Sequence, residues 1–374
     1  MKKMFGWPER PSHDSPGQRP GKRGEKGPLA LKGRYKPVRH QRPISKTSLS
    51  WLCVVWLVAW CAPAAGQQLA VLQKMPQDLL QFSGGARPNA DGMVSYNRDG
   101  FKSPEFQRGA MHYMVLAIAR GDVDAVENAW RAVDATFRFQ NETGSLSRKG
   151  EPHGGPSALA MWLAELDQAV LILRESSFGP QSKERIEKLI PKIHAAARWL
   201  ARPKYRERLE QEDAQAPNRL LFDALAFGLS GIVTEDAELK RIGHRFVELA
   251  MIQYRERDGV FLEKGGADSS YQAVAALKLQ VWLIYFPDAK LDAAVDRAIT
   301  WERQRIQPDG QVDIAGNTRT GLGQEQWMGH DKGVNLSEIT LCLLYHGART
   351  GDEDSFAAAR RIVERRKRDI HEER

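Results

Sequence analysis

The sequence predicts an all-α domain in which about five helical hairpins stack into a ring. Three observations predict it. From residue 67 onward, segments apolar on every side alternate with amphipathic ones, the connections are short at one end and long at the other, and strand signals are scarce. A helix that is apolar all round is buried all round, whereas an amphipathic helix covers a core from outside.

The first apolar segment is 109–120 (GAMHYMVLAIAR), followed by an amphipathic one over 122–139. The second pair is 156–173 (PSALAMWLAELDQAVLIL) and 181–201. In the latter, Ile186, Leu189, Ile190, Ile193 and Leu200 share one face and Lys183, Glu184 and Lys188 the other. The third is 217–230 (PNRLLFDALAFGLS) with 235–255, the fourth 269–286 (SSYQAVAALKLQVWLIYF) with 288–305, and the fifth 337–348 with 352–368. Turns such as Arg120-Gly-Asp and Phe286-Pro-Asp join each inner helix to its outer partner. Long loops precede the inner helices, at 91–108, 141–155, 203–216, 258–268 and 309–336. Asp-Gly pairs stand at 91–92, 258–259 and 309–310, the last two 51 residues apart, the mark of a repeat. DGVFLEK and DGQVDI allow brief extended pieces.

Inner helices this apolar favour a closed ring, because an open solenoid would leave their concave side wet. The pattern resembles the α/α toroid of polysaccharide lyases and six-hairpin glycosidases over most of residues 85–370. That resemblance implies a carbohydrate-active enzyme whose site lies where the long loops open. A ring of five hairpins, rather than six or seven, can be incomplete, with residues 67–83 packing across the gap.

Charge excludes one function class. The 374-residue chain carries a formal net charge of +8, but residues 1–46 hold 13 basic and 3 acidic side chains, leaving 42 basic and 44 acidic ones beyond. A nearly neutral body gives no field for nucleic acid. The basic 1–46 leader reads as disordered. Within 47–66, SLSWLCVVWLVAWCAPAAG reads as a signal peptide with cleavage near 64–66. A periplasmic or secreted protein is expected, with an uncleaved anchor as the alternative and the sole membrane association. Residues 67–374 are then a single domain. Cys53 and Cys61 lie in the leader, so Cys342 has no disulfide partner in the body.

If every inner helix points the same way, five long loops and five helix N-termini share one face, suited to an anionic ligand. The stretch GNTRTGLGQEQWMGHDKG, residues 316–333, is its richest wall, with five glycines among hydrogen-bonding side chains. β-Elimination on a uronate-containing polysaccharide needs a cation to neutralise the carboxylate and a base to take the C5 proton. Arg319 with Asn317 fits the first task, and Tyr271 or His330 the second. Trp327, His153, His112, Tyr113, Arg98, Glu325, Asp268, Gln272 and Lys332 are the expected substrate contacts, Trp327 as a stacking platform. Blander readings stand beside these: Asp268 and Ser337 as helix N-caps, Tyr271 as core, His112 as a half-buried histidine, Arg319 as a carbonyl cap. Elimination is the favoured expectation, because five helix N-termini with Arg319, Lys332 and Arg98 suit an anionic sugar. Inverting glycoside hydrolysis competes, with Asp99, Glu105, Asp268, Glu325 and Asp331 as carboxyl suppliers. A non-catalytic glycan-binding component of an exopolysaccharide system is the third reading. His330-Asp331 lacks metal-ligand spacing, and neither a dinucleotide fingerprint nor a Gly-x-Ser-x-Gly elbow is present, so no metal or cofactor is expected.

Overall fold

Aspartates and glycines set the helix ends in the computed structural model, which describes residues 67–146, 155–327 and 329–372. The expected leader and signal sequence lie outside the described residues. Helices α1 (Gln67–Lys74) and α2 (Gln77–Leu80) come first. Two 3-10 turns (Ser95–Asn97 and Pro104–Gln107) then lead into α3 (Arg108–Arg120) and α4 (Val123–Phe137). There follow α5 (Pro156–Glu175), α6 (Gly179–Ala201), α7 (Pro203–Glu212), α8 (Pro217–Val233) and α9 (Ala237–Ile252). The last four are α10 (Ser269–Tyr285), α11 (Ala289–Gln304), α12 (Leu336–Thr350) and α13 (Glu353–Glu372). Asp122, Asp236 and Asp288 each accept main-chain N–H groups at the start of α4, α9 and α11, so the short turns share one capping chemistry. Gly121 and Gly351 end α3 and α12 in the left-handed conformation.

All five inner–outer pairs form: α3/α4, α5/α6, α8/α9, α10/α11 and α12/α13. The inner helices pack side by side in chain order, α3 on α5, α5 on α8, α8 on α10 and α10 on α12. Helix α1 touches both α12 and α3, and α5 and α10 besides, so it bridges the two ends of the series as expected of residues 67–83. Its fully buried Gln68 explains how. Gln68 donates to Tyr345 Oη at 2.8 Å and to Gln168 Oε1 at 3.3 Å, and accepts from Tyr285 Oη at 2.8 Å. The Leu69 N–H donates to Glu175 at 3.0 Å. Glu175 and Tyr285 end α5 and α10, and Tyr345 lies late in α12, so the C-terminal ends of these helices gather around α1. Helix α1 therefore covers that end of the helix series, and the long loops lie before the N-terminal ends of the inner helices.

The Asp-Gly repeat has a steric cause. Gly92, Gly259 and Gly310 all have positive φ, and a Cβ on each would lie 2.4, 2.7 and 2.1 Å from the carbonyl oxygens of Arg131, Arg297 and Arg361. Each glycine thus presses its loop onto the outer helix of its own hairpin. Gly144, before α5, does the same against the Ala195 carbonyl of α6, at 2.1 Å. Glutamines clamp two of these loops identically. Gln107 accepts from Val94 N at 2.9 Å and donates to Gly92 O at 3.0 Å, while Gln272 accepts from Phe261 N and donates to Gly259 O, both at 2.8 Å.

Three local expectations are corrected. Residues 203–216 are not simply a loop: 203–212 form α7, whose Pro203 starts a helix supported by the i,i+4 pairs Arg206–Glu210 and Arg208–Glu212. The cap of α12 is Asn335 rather than Ser337, since the Asn335 carbonyl oxygen of the side chain accepts from Glu338 N at 3.2 Å. Residues 326–331 form a small hairpin, β3 (Gln326–Trp327) against β4 (His330–Asp331), inside the glycine-rich stretch. The two extended pieces do form. Strand β2 (Val260–Phe261) pairs antiparallel with β1 (Tyr254–Arg255), and Val312 bridges to Ile306.

Candidate functional site

The outer tier of the candidate site is built around Asp268, which is fully buried at the N-cap of α10. One oxygen accepts from Ser270 N at 3.1 Å and Tyr271 N at 3.2 Å, and the other accepts from Arg319 N at 2.9 Å and Thr320 N at 2.8 Å. Helix and loop 316–333 are therefore fastened through one carboxylate. Asn317 is spent in the same way: its oxygen accepts from Ser269 N at 3.1 Å and its amide donates to Thr320 Oγ1 at 2.8 Å.

Arg319 is just as engaged. Its guanidinium pairs with the buried Glu263 and takes Glu325 in a two-pronged bond, while lying 4.1 Å from the centroid of the Tyr271 ring. The Lys332 ammonium is 5.0 Å from the same ring and 3.7 Å from Glu325. The hydrogen bond from Arg319 holds the Glu325 carboxyl down at about 2, and burial pushes the Tyr271 phenol above its ordinary value. The structure thus gathers Tyr271, Arg319, Asn317, Asp268, Glu325 and Lys332 into one cluster. The side chains of Asp268, Asn317, Arg319 and Glu325 are already hydrogen-bonded within the protein. Gln272 is the loop clamp described above.

The remaining expected residues are more scattered. His330 is exposed on β4, Trp327 supplies main chain to β3, and Arg98 is exposed in the first loop. Tyr113 faces Arg87, Asp122 and Arg120 near the α3–α4 turn, with burial raising its phenol. His153 lies outside the described residues. Of the carboxyl suppliers, Asp99 and Asp331 are exposed, and Glu105 stands 3.9 Å from Arg108.

An inner tier lies deeper, and loop reading does not find it. Four of the five inner helices carry one or two ionisable side chains into it, and the fifth an aromatic ring: Arg108 and His112 from α3, Glu165 from α5, Phe222 from α8, Lys278 from α10 and Glu338 from α12. Lys278 donates to Glu165 at 2.5 Å, their side chains 5% and 14% exposed. Both Lys278, at 4.6 Å, and Arg108, at 5.1 Å, lie over the Phe222 ring. Glu338 accepts from Asn335 Nδ2 at 2.5 Å. These groups are surrounded by protein without being sealed from solvent, and their environments pull in opposite directions. Burial opposes ionisation of Glu165, yet Lys278, aided by Arg108, holds it below the usual carboxylate range. Burial pushes Glu338 up, and Arg108 and Lys278 only partly offset it. Burial lowers His112 to about 4, so its imidazole is neutral at pH 7. The signal for this tier was present in the sequence: Glu165 and Lys278 stand within largely apolar helices, where a buried charge calls for a partner.

The two tiers are continuous. Arg219, which donates to the buried Asp213 at 3.2 Å, acts electrostatically on Arg319, Lys332 and Glu105, while Arg108 acts on Glu165 and Glu338. Among the described residues no group of three or more His, Cys, Asp or Glu side chains is arranged to hold a metal ion.

No protein-family model and no curated protein matches this chain. Solved structures similar to it include a sugar epimerase from a ruminal bacterium, at 10% identity and a TM-score of 0.43, covering 77% of this chain and 87% of that one. An unsaturated glucuronyl hydrolase specific for heparin is 12% identical with a TM-score of 0.48, covering 79% and 81%. A polysaccharide lyase is 13% identical with a TM-score of 0.47, covering 76% and 90%.

Proposed function

We propose that this protein is an exported carbohydrate-active enzyme that hydrolyses a glycosidic linkage at the mouth of its helical ring, with Glu338 as general acid and Glu165 as base or nucleophile. One observation carries the reading: two glutamates in the inner tier have opposed environments, burial pushing the Glu338 carboxyl up and the Lys278 ammonium holding that of Glu165 down. Two carboxyls with opposed environments are what acid–base cleavage of an acetal requires. Glu338 gives its proton to the leaving glycosidic oxygen as the bond to the anomeric carbon breaks. Glu165 either takes a proton from the attacking water or bonds to the anomeric carbon itself. Separations of roughly 6.5–9.5 Å go with the first course and about 5–5.5 Å with the second. Guanidinium, ammonium, imidazole and carboxylate groups around the Phe222 and Tyr271 rings suit a polyhydroxylated ring with polar edges and apolar faces. Export rests on the basic leader and short apolar run at 47–66.

A second reading, β-elimination on a uronate polysaccharide, is favoured by the two cations flanking Tyr271. Arg319 is committed to Glu263 and Glu325, so Lys332 or Arg108 would neutralise the uronate carboxylate while Tyr271 moved the proton. The test is turnover of a panel of uronate polysaccharides and neutral glucans, following reducing ends and ultraviolet absorbance together. Reducing ends without absorbance, abolished by Glu338→Gln and by Glu165→Gln, support hydrolysis. New absorbance abolished by Tyr271→Phe would replace it with elimination. Glycan binding without turnover would leave only the non-catalytic reading.

A further inference from the structure

His112 has one ring nitrogen whose state the surrounding network decides. Its Nε2 lies 3.1 Å from Ser83 Oγ, and Ser83 Oγ donates its single proton to the Leu80 carbonyl at 2.7 Å. A serine hydroxyl has one hydrogen and two lone pairs, so toward His112 it can only accept. That contact demands a proton on Nε2. A neutral imidazole with its proton there carries a bare lone pair on Nδ1.

The other ring edge faces the inner tier. A Cβ on Gly84 would lie 3.9 Å from His112 Cδ2, so the Cδ2–Nε2 edge is turned to the 83–84 segment. The Nδ1–Cε1 edge is turned away from that segment. The charged groups acting on the ring are Glu165 of α5 and Lys278 of α10.

We infer that Ser83 is a positioning residue: it locks His112 as the Nε2–H tautomer, so that Nδ1 is offered to the lumen as a fixed hydrogen-bond acceptor for a substrate hydroxyl. The imidazole then supplies no positive charge to the site. Burial, which lowers His112 to about 4, keeps it so across neutral pH. The role toward substrate rests on the glycosidase reading above, whereas the tautomer does not.

Long-range proton–nitrogen correlation spectra of the ¹⁵N-labelled full chain read the tautomer directly, with the His112 signals identified by their loss in His112→Gln. The wild type is expected to show protonated Nε2 and bare Nδ1 from pH 6 to 8, with no titration. Ser83→Ala should lose that preference and mix the two tautomers, and Ser83→Thr, which keeps the hydroxyl, should retain it. Circular dichroism checks that the variants fold. A wild-type Nδ1–H form, an imidazolium at pH 6, or a Ser83→Ala spectrum identical to wild type would overturn the inference. Should the tautomer stand while no glycan is turned over, the functional reading falls and the tautomer survives. With a turned-over glycan, Ser83→Ala should lower kcat/KM about tenfold and Ser83→Thr restore most of it, since losing one well-placed hydrogen bond removes roughly that factor.

Discussion

Replacing Lys278 with methionine removes the ammonium 2.5 Å from Glu165 while leaving an apolar stem over Phe222. In the wild type the folded Glu165 carboxyl sits below its ordinary range. Its contribution to stability is therefore present above the unfolded pKa and lost as pH falls through the folded one. In Lys278→Met burial is left to act with less opposition, and the folded carboxyl moves above its ordinary range. The folded state then holds a proton that the unfolded state has released, so stability falls as pH rises past about 4.3. The gap between the two proteins should be small near pH 4 and widen by at most about 1.4 kcal/mol per pH unit. It levels off at about 3–5 kcal/mol, the usual penalty for breaking a buried ion pair. Urea unfolding at pH 5 and pH 8 measures it, and the gap should grow by about 2–4 kcal/mol between them. Adding Glu165→Gln to the variant leaves no buried charge at that position, so the double variant should recover most of the loss at pH 8. A gap equal at both pH values, with no recovery, would refute the claim that Glu165 and Lys278 are a buried charged pair.

Two further predictions concern the frame around the site. Asp268→Ala should cost about 3–5 kcal/mol, from a lost cap of about 1 and the stranded Arg319 and Thr320 N–H groups. Amide exchange in 316–333 should accelerate selectively, and unchanged protection there would refute the fastening role of Asp268. Gly310→Ala places a Cβ 2.1 Å from the Arg361 carbonyl at a φ of +89°, whereas Gly121→Ala, at +70°, meets nothing within 4 Å. The left-handed backbone costs about 1–2 kcal/mol in each, so Gly310→Ala should exceed Gly121→Ala by at least 1 kcal/mol, and equal losses on thermal unfolding would refute loop docking.

The hairpin series was readable because burial leaves its mark on every face of a helix: α8 and α10 have no polar side long enough to meet water. Helix α7 was not, since PKYRERLEQE carries almost no apolar face and is held by neighbouring ion pairs, which composition does not distinguish from a loop. Loop chemistry gathered at the N-terminus of α10 was also readable. Tyr271, Asp268 and Arg319 are far apart in sequence, yet the repeat placed their loops on one face. What sequence could not give was which polar groups already had partners. Arg319 and Asn317 looked free for a ligand because Glu263 and Ser269, which hold them, drew no notice. The inner tier was missed for the converse reason. Glu165, Lys278 and Glu338 sit in apolar or capping contexts, and periodicity averages single charges away. A buried polar residue is the more informative exception.

The five inner-helix N-termini beside the long loops do not offer five equivalent partial charges. Those of α10 and α12 already meet Asp268 and Asn335, whose side chains accept their first N–H groups. The starts of α5 and α8 have no side-chain cap, and α3 begins directly from a 3-10 turn. Arg108, 3.9 Å from Glu105, stands at the start of α3, and Arg219, paired with Asp213, stands in the first turn of α8, so on this side the uncapped main chain adds partial positive charge beside these pairs. On the opposite side Arg319 is neutralised by Glu263 and Glu325. On the glycosidase reading proposed above, an acidic substituent on a bound sugar would lie toward α3, α5 and α8, and the linkage beside the Glu165–Lys278 pair and Glu338. Charge reversal separates the two roles: Arg219→Glu should raise KM for an acidic glycan far more than for a neutral one and leave kcat within about threefold, because uniform binding is lost without loss of transition-state contacts. An equal rise in KM for both glycans would place the acidic group elsewhere.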